Sequence, residues 1–319
     1  MEKRNVGKSG LRVSAIGLGC NNFGGTIDAS HSEKIIRKAL DLGITLFDTA
    51  PVYGGNGGSE VILGAALGNR RKDAVIVTKF GITMDFSGFN TSRSGVMAEI
   101  EASLTRLKTD YIDLYMIHWP DASTPLQETL RALDDIVASG KARYIGVCNL
   151  PAWQVVESKW ISKTDSLHEF IVSQNEYSLV QRDAENSLIP ALKEYGMGFM
   201  PYSPLGNGLL TGKYSVGAKA PADSRLGKNM WNMADVYLTE SKLKLVQDLG
   251  QFAQQCGHSI LDLATSWLLS QPIVCSVIGG ATKVEQLEQN AASGKWRLTA
   301  EEHSQVDEIC RNARKASAR

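Results

Sequence analysis

Cysteine is scarce and unpaired. Cys20, Cys148, Cys256, Cys275 and Cys310 are odd in number, far apart and contain no C-x-x-C pair, so neither a disulfide framework nor a zinc knuckle can be read. A reducing compartment is expected. Excess charge of either sign is missing too: 34 Lys+Arg stand against 34 Asp+Glu in 319 residues, which removes the basic field that nucleic-acid and membrane-surface binders rely on. No run of about 18 apolar residues occurs, and the opening MEKRNVGKSG has charge with no apolar stretch behind it. The sequence therefore offers no membrane span and no export signal, and the expected location is the cytoplasm. Linkers and low-complexity tracts are also lacking, so residues 1–319 read as one domain.

What is present is an alternation. Short apolar or β-branched runs at 15–19, 45–49, 74–79, 112–118, 143–147, 171–175, 198–202 and 274–278 are separated by longer stretches of helical period. Eight such βα units, with no second sheet, favour an α/β fold built as a single (β/α)8 TIM barrel over an open Rossmann sheet. Val96, Ile100, Leu104 and Leu107 repeat at a spacing of three to four, which builds one apolar helix stripe. Thr124-Pro125-Leu126-Gln127, Thr282 with Glu285, and Thr299 with Glu302 look like helix starts with reciprocal caps. Gly140 and Gly196 sit where helices should stop. Ahead of the first unit, residues 4–6 and 11–13 flank Gly7-Lys8-Ser9-Gly10, a small β-hairpin expected to plug one barrel end, and a further helix is expected at the C-terminus. Two stretches break the rhythm, 81–93 and 205–237, and long loops in a compact domain are usually functional. Gly17-Leu18-Gly19-Cys20-Asn21-Asn22 lacks the third glycine of a dinucleotide fingerprint, and 206–214 fails as a phosphate-binding P-loop.

A barrel carries its chemistry at the C-terminal ends of its strands. Reading off those ends gives Asp48 with Tyr53, Lys79, His118, Asn149, Gln174 with Asn175, Tyr202 with Ser203, and then 279–283. Each has an ordinary structural explanation taken alone; their placement at one rim argues for a site. An ammonium at the end of a buried strand needs a partner, and Asp48, one strand over, is the expected one. A nearby ammonium is expected to lower the Tyr53 phenol below its usual value near 10, making it a usable general acid. His118 would polarise a carbonyl oxygen beside it. No side chain delivers hydride, so a nicotinamide cofactor is implied.

The blocks 43–54 (GITLFDTAPVYG), 77–79 (VTK), 111–119 (YIDLYMIHW), 140–149 (GKARYIGVCN), 202–206 (YSPLG) and 277–283 (VIGGATK) resemble the aldo-keto reductase superfamily over nearly the whole chain. The resemblance implies a catalytic tetrad of Asp48, Tyr53, Lys79 and His118, and NAD(P)H extended across the barrel mouth. It further implies Asn149 and Gln174 on the carboxamide and Tyr202 stacked on the nicotinamide. Ser203, Leu205 and Gly206 would then follow the pyrophosphate, and Gly280, Thr282, Lys283, Gln286 and Asn290 would hold the adenosine end. Thr282 and Lys283 open the last barrel helix, where N–H groups favour an anion, and the added ammonium suggests a 2′-phosphate, hence NADPH, with NADH as the alternative. Cys148 stands where the family often has Ser, and Gly279 where it commonly has Pro.

Phe23, Tyr53, His118 and Trp119 are expected to line a substrate pocket, with Phe86, Phe89, Trp231 and Tyr237 as further aromatic candidates. The expected partner is a small carbonyl or alcohol, not nucleic acid or membrane, and the expected state a monomer or weak homo-oligomer. Two rival readings keep the fold: a Schiff-base lyase acting through Lys79, and a nucleotide-sensing subunit with little turnover, since the superfamily is similar to channel-associated β subunits.

Overall fold

The computed structural model describes residues 1–229 and 232–317. The chain opens with an antiparallel hairpin of β1 (Lys3–Asn5) and β2 (Arg12–Ser14). Eight parallel strands follow in sequence: β3 (Ile16–Gly19), β4 (Leu46–Asp48), β5 (Val75–Phe80), β6 (Ile112–Ile117), β7 (Ala142–Cys148), β8 (Val172–Gln174), β9 (Gly198–Phe199) and β10 (Val277–Gly280). The connecting helices are α1 (Ala29–Asp41), α2 (Gly58–Leu67), α3 (Arg93–Leu107), α4 (Leu126–Ala138), α5 (Ala152–Asp165) and α6 (Leu188–Tyr195). Between β9 and β10 lie α7 (Met233–Tyr237), α8 (Glu240–Gln255) and α9 (Ile260–Leu269), and after β10 come α10 (Val284–Ser293) and α11 (Ala300–Ser317).

The sheet runs β10-β3-β4-β5-β6-β7-β8-β9, and its two ends meet. Phe199 bridges Val274 in parallel, the Phe199 N–H donates to Ile273 O at 2.9 Å, and Cys275 N–H donates to Phe199 O at 3.0 Å. The eight strands therefore curl into the expected (β/α)8 ring, with helices covering the outside and an inner core filling the middle. That inner core contains Leu46, Val77, Leu114, Met116, Val172 and Met200, and the hairpin residues Val6, Leu11 and Val13 join it from below. The hairpin is thus the plug that the sequence suggested. Its turn depends on Gly7, at φ +57°, because a Cβ there would stand 2.7 Å from Gly198 N and 2.8 Å from Gly196 O.

Val96, Ile100, Leu104 and Leu107 form the buried stripe of α3, each removed side chain contributing about 1.5–3 kcal/mol of hydrophobic burial. Gly140 and Gly196 end α4 and α6 in left-handed conformations, as read. Thr299 and Glu302 do bond reciprocally, Glu302 N–H to Thr299 Oγ1 and Thr299 N–H to Glu302 Oε2.

The other two capping boxes do not form. Pro125, rather than Thr124, caps α4, because the Thr124 hydroxyl donates to Asp121 Oδ2 at 2.8 Å. Lys283 is the cap residue of α10, and Gln286, not Glu285, reaches back to accept from the Thr282 N–H and hydroxyl at 2.8 and 3.0 Å. The run at 198–202 supplies only two ladder residues, since its later part pairs singly with the β8 extension through Tyr202 and Glu176. The stretch 205–237 is not wholly loop: it contains a 3-10 segment, Gly206–Thr211, and α7.

Candidate active site

Strand alternation places the site. On β4, Leu46 faces the inner core, Phe47 faces the helices and Asp48 faces in again; on β5, Val77, Thr78 and Lys79 repeat that order. On β6, Met116 points inward and Ile117 outward, and His118 follows on the inward phase. A period of two thus sets a polar layer directly above an apolar one.

Lys79 is fully buried and Asp48 is 5% exposed. The Lys79 ammonium donates to Asp48 Oδ1 at 2.8 Å and to Thr49 O at 3.0 Å. Burial alone would depress that ammonium, but the charge and hydrogen bond of Asp48, together with Tyr53 and Cys148, outweigh it and the pKa is raised. Tyr53 arrives from the loop after β4. Its ring meets His118 edge-on, with centroids 5.7 Å apart and an interplanar angle of 86°, and the Lys79 Nζ lies 5.1 Å from the ring centroid. The following Gly54, at φ +72°, cannot carry a side chain, because its Cβ would fall 2.2 Å from Phe23 O.

The expected depression of the Tyr53 phenol does not occur. Desolvation raises it to about 12, and the Lys79 charge and hydrogen bond recover only part of that rise. Burial is a three-dimensional property that reading Tyr53 and Lys79 onto one barrel rim cannot weigh. A phenol at this value is protonated at neutral pH. His118 is pushed well below its ordinary 6.5, first by burial and then by the Lys79 charge, so it is a neutral imidazole.

The sign of that shift gives a prediction. As pH falls through about 6.5 the unfolded chain takes up a proton at His118 that the folded site refuses. Stability from this residue is present above that value and is lost below it. Thermal melts between pH 7 and pH 5 should therefore slope less steeply in His118→Gln than in the parent; parallel slopes would count against it.

Around this layer, Gln174 Nε2 donates to Asp48 Oδ1 at 3.0 Å, and the Cys148 thiol donates to Gln174 Oε1 at 3.5 Å. Asn149 donates through Nδ2 to His118 O at 3.1 Å and accepts from the Tyr202 hydroxyl at 2.9 Å. Asn149 and Ser203 both hold positive φ, 60° and 49°, the kind of strained non-glycine backbone that clusters at working sites. Leu205 and Gly206 follow Ser203 at the rim. Across the mouth, Thr282 and Gln286 are bonded to each other, Lys283 is exposed, and Asn290 Nδ2 donates to Gly280 O at 3.3 Å.

Of the expected pocket residues, Trp119 stands open at the rim and stacks on Phe89. Phe23 does not: it is fully buried in the outer core, in a turn held by Phe23 N–H to Cys20 O at 3.1 Å and Gly24 N–H to Ile27 O at 2.9 Å. Tyr237 is buried as well, its hydroxyl donating to Glu176. Trp231 lies outside the described residues.

Three residues escaped the sequence reading. Arg225 is half-buried and donates only weakly, to Asn207 Oδ1 at 3.4 Å, with no carboxylate partner among the described residues. The Tyr214 hydroxyl is buried with no partner among the described residues, and the Lys213 Nζ stands over the Tyr214 ring, 5.4 Å from its centroid. All three flank the Gly206–Gly208 turn; Lys213 and Tyr214 were seen only as the tail of the failed phosphate-loop pattern at 206–214, and Arg225 not at all.

Comparison with known proteins agrees with this geometry. The aldo/keto reductase family model matches residues 15–311. A probable voltage-gated potassium channel subunit beta of Oryza sativa subsp. japonica is 38% identical over 91% of this chain and 90% of its own length. An L-glyceraldehyde 3-phosphate reductase of Escherichia coli O157:H7 is 36% identical over 97% of this chain and 92% of its own. The ring of eight βα units and the family match over almost all of it lead to one conclusion: the chain belongs to the aldo/keto reductase family.

Proposed function

We propose that this protein is an NADPH-dependent reductase that converts an aldehyde or ketone to an alcohol, or runs the reverse, with Tyr53 as general acid and base. The observation that carries the reading is the Tyr53 phenol set between the Lys79 ammonium and the neutral His118 ring at the C-terminal mouth.

The residues present fit a nicotinamide dinucleotide. A buried Tyr214 hydroxyl without a partner and an Arg225 guanidinium without a carboxylate among the described residues, with the exposed Lys283, belong to the segments that follow β9 and β10, as the phosphates of an extended nucleotide require. Asn149, Gln174 and Tyr202 would hold and cover its nicotinamide end, Ser203, Leu205 and Gly206 would run beneath the pyrophosphate, and Gly280, Thr282, Gln286 and Asn290 would take the adenosine. When bound, that nucleotide supplies the hydride that goes to the carbonyl carbon.

The chain supplies the rest. Tyr53, protonated at neutral pH, gives its proton to the carbonyl oxygen as negative charge gathers there. His118 orients and polarises the same oxygen as a neutral donor. Lys79 stabilises the phenolate left behind, and Asp48 holds Lys79 charged and in place. Substrate would approach over Trp119.

Mixing the protein with NADPH and a panel of aldehydes and ketones should consume the dihydronicotinamide absorbance. Lys283→Ala should weaken NADPH about tenfold more than NADH; an equal effect on both would remove the 2′-phosphate assignment. The rice relative is named as a channel subunit, and a second reading of this chain is a subunit that binds nucleotide with little turnover; tight NADPH binding without turnover on any carbonyl would support it. A lyase through Lys79 is disfavoured: a Schiff-base amine needs a lowered pKa, and Asp48 raises this one.

A further inference from the structure

The mouth of the barrel is divided by charge. The five loops after β3 to β7, residues 20–28, 49–57, 81–92, 118–125 and 149–151, contain no Lys or Arg, and they carry Asp28, Asp85 and Asp121. Arg93, the first residue beyond the third of these loops, is paired with Asp135 at 2.5 Å. After β8, Arg182 is spent on Glu185 and Asp307. The remaining cations of the rim, Lys213, Lys219, Arg225, Lys228 and Lys283, belong to the connections that follow β9 and β10. An anion is therefore attracted to one half of the mouth and repelled by the other.

The repelling half is also the aromatic half. Trp119 directly follows His118 and is 42% exposed; Phe89 is 46% exposed, and the two rings lie 11° from parallel with centroids 6.4 Å apart. Phe86 holds a positive φ of 57° that a bulky side chain rarely adopts, and it stays 69% exposed. Asp121 anchors this surface by accepting from the Thr91 N–H at 3.0 Å, tying the 81–92 loop to the end of β6. Despite partial burial, donors from Ser123, Thr91 and Thr124 hold the Asp121 carboxyl at about 2, so it is ionised. An exposed apolar patch beside reactive groups marks a place for a ligand's apolar part.

We infer that the substrate is a neutral aromatic carbonyl compound, its ring laid on Trp119 and Phe89 while its C=O reaches Tyr53 and His118, and that anionic carbonyl compounds are turned away. The inference rests on the reductase reading above and narrows it. It separates this chain from what the name of its Escherichia coli relative would suggest, because a phosphorylated triose would meet three aspartates and no available cation in the loops beside Tyr53.

The test uses the full chain saturated with NADPH at low ionic strength, with para-nitrobenzaldehyde, its para-carboxy counterpart, methylglyoxal and glyceraldehyde 3-phosphate as probes. The nitro compound should exceed both the carboxylate and the phosphate in kcat/KM by at least about tenfold, and added salt should narrow the gap. Phe89→Ser and Trp119→Leu should each lower the nitrobenzaldehyde-to-methylglyoxal ratio of kcat/KM by about fivefold or more. Turnover of glyceraldehyde 3-phosphate as fast as the neutral aromatic aldehyde, or unchanged ratios in both variants, overturns the inference while leaving the reductase intact. Absence of turnover with all four probes overturns the reductase reading and this inference with it.

Discussion

Tyr53→Phe is expected to lower kcat for carbonyl reduction about a thousandfold, within the range lost when a positioned proton donor is removed. Little else should change. The phenyl ring keeps its edge-on contact with His118 and its place beside the Lys79 ammonium, so the dissociation constant for NADPH should stay within about twofold of the parent. Stopped-flow turnover and fluorescence titration of the nucleotide measure the two quantities separately. A variant that still reduces aldehydes at the parental rate would strip Tyr53 of its role. The parent should also hold a flat rate from pH 6 to pH 10 in the direction of reduction, because the phenol titrates only near about 12.

Lys79→Met carries the second large effect, and it separates folding from chemistry. Asp48 is buried, and after the substitution its carboxylate would retain only the Gln174 amide at 3.0 Å among the side-chain donors seen here. Removing one member of a buried ion pair leaves an uncompensated charge and costs about 3–5 kcal/mol. Adding Asp48→Asn removes that charge, so the double variant should recover at least about half of the lost stability in urea melts. Catalysis should not return, since the phenolate of Tyr53 would still lack its cation. Additive losses in the double variant would show that the pair is not coupled as the geometry requires.

The eight strand runs were legible because strands buried on both faces read as continuous apolar stretches, and Asp48, Lys79 and His118 were legible because they interrupt those stretches at one end. The closed ring was legible from the count of eight units, but the residues that join it were not: the joint depends on Phe199, Ile273 and Cys275 meeting across 70-odd residues of chain. Local rules failed where a tertiary partner competed. Thr124 looks like a helix cap until Asp121 takes its hydroxyl, and Thr282 looks paired with Glu285 until Gln286 accepts from both its N–H and its hydroxyl. Phe23 reads as a loop aromatic, and only the fold shows that its ring is fully buried in the outer core. Arg225 gave no signal, because what sets it apart is a missing counter-charge, and sequence does not say which charges meet.

The joint between β9 and β10 has a consequence for how the molecule survives transient opening. A ring of strands leaves no free border, but this joint is its shortest ladder, and a thermal fluctuation that parted it would bare two borders at once. Each is flanked by an imino acid: Pro201 follows the end of β9 and Pro272 precedes Ile273. Lacking an amide hydrogen, these positions offer a foreign strand a carbonyl but no donor, so the breach is poorly suited to templating aggregation, whereas Pro201 O can take back the Ile278 N–H it accepts in the closed ring at 3.2 Å.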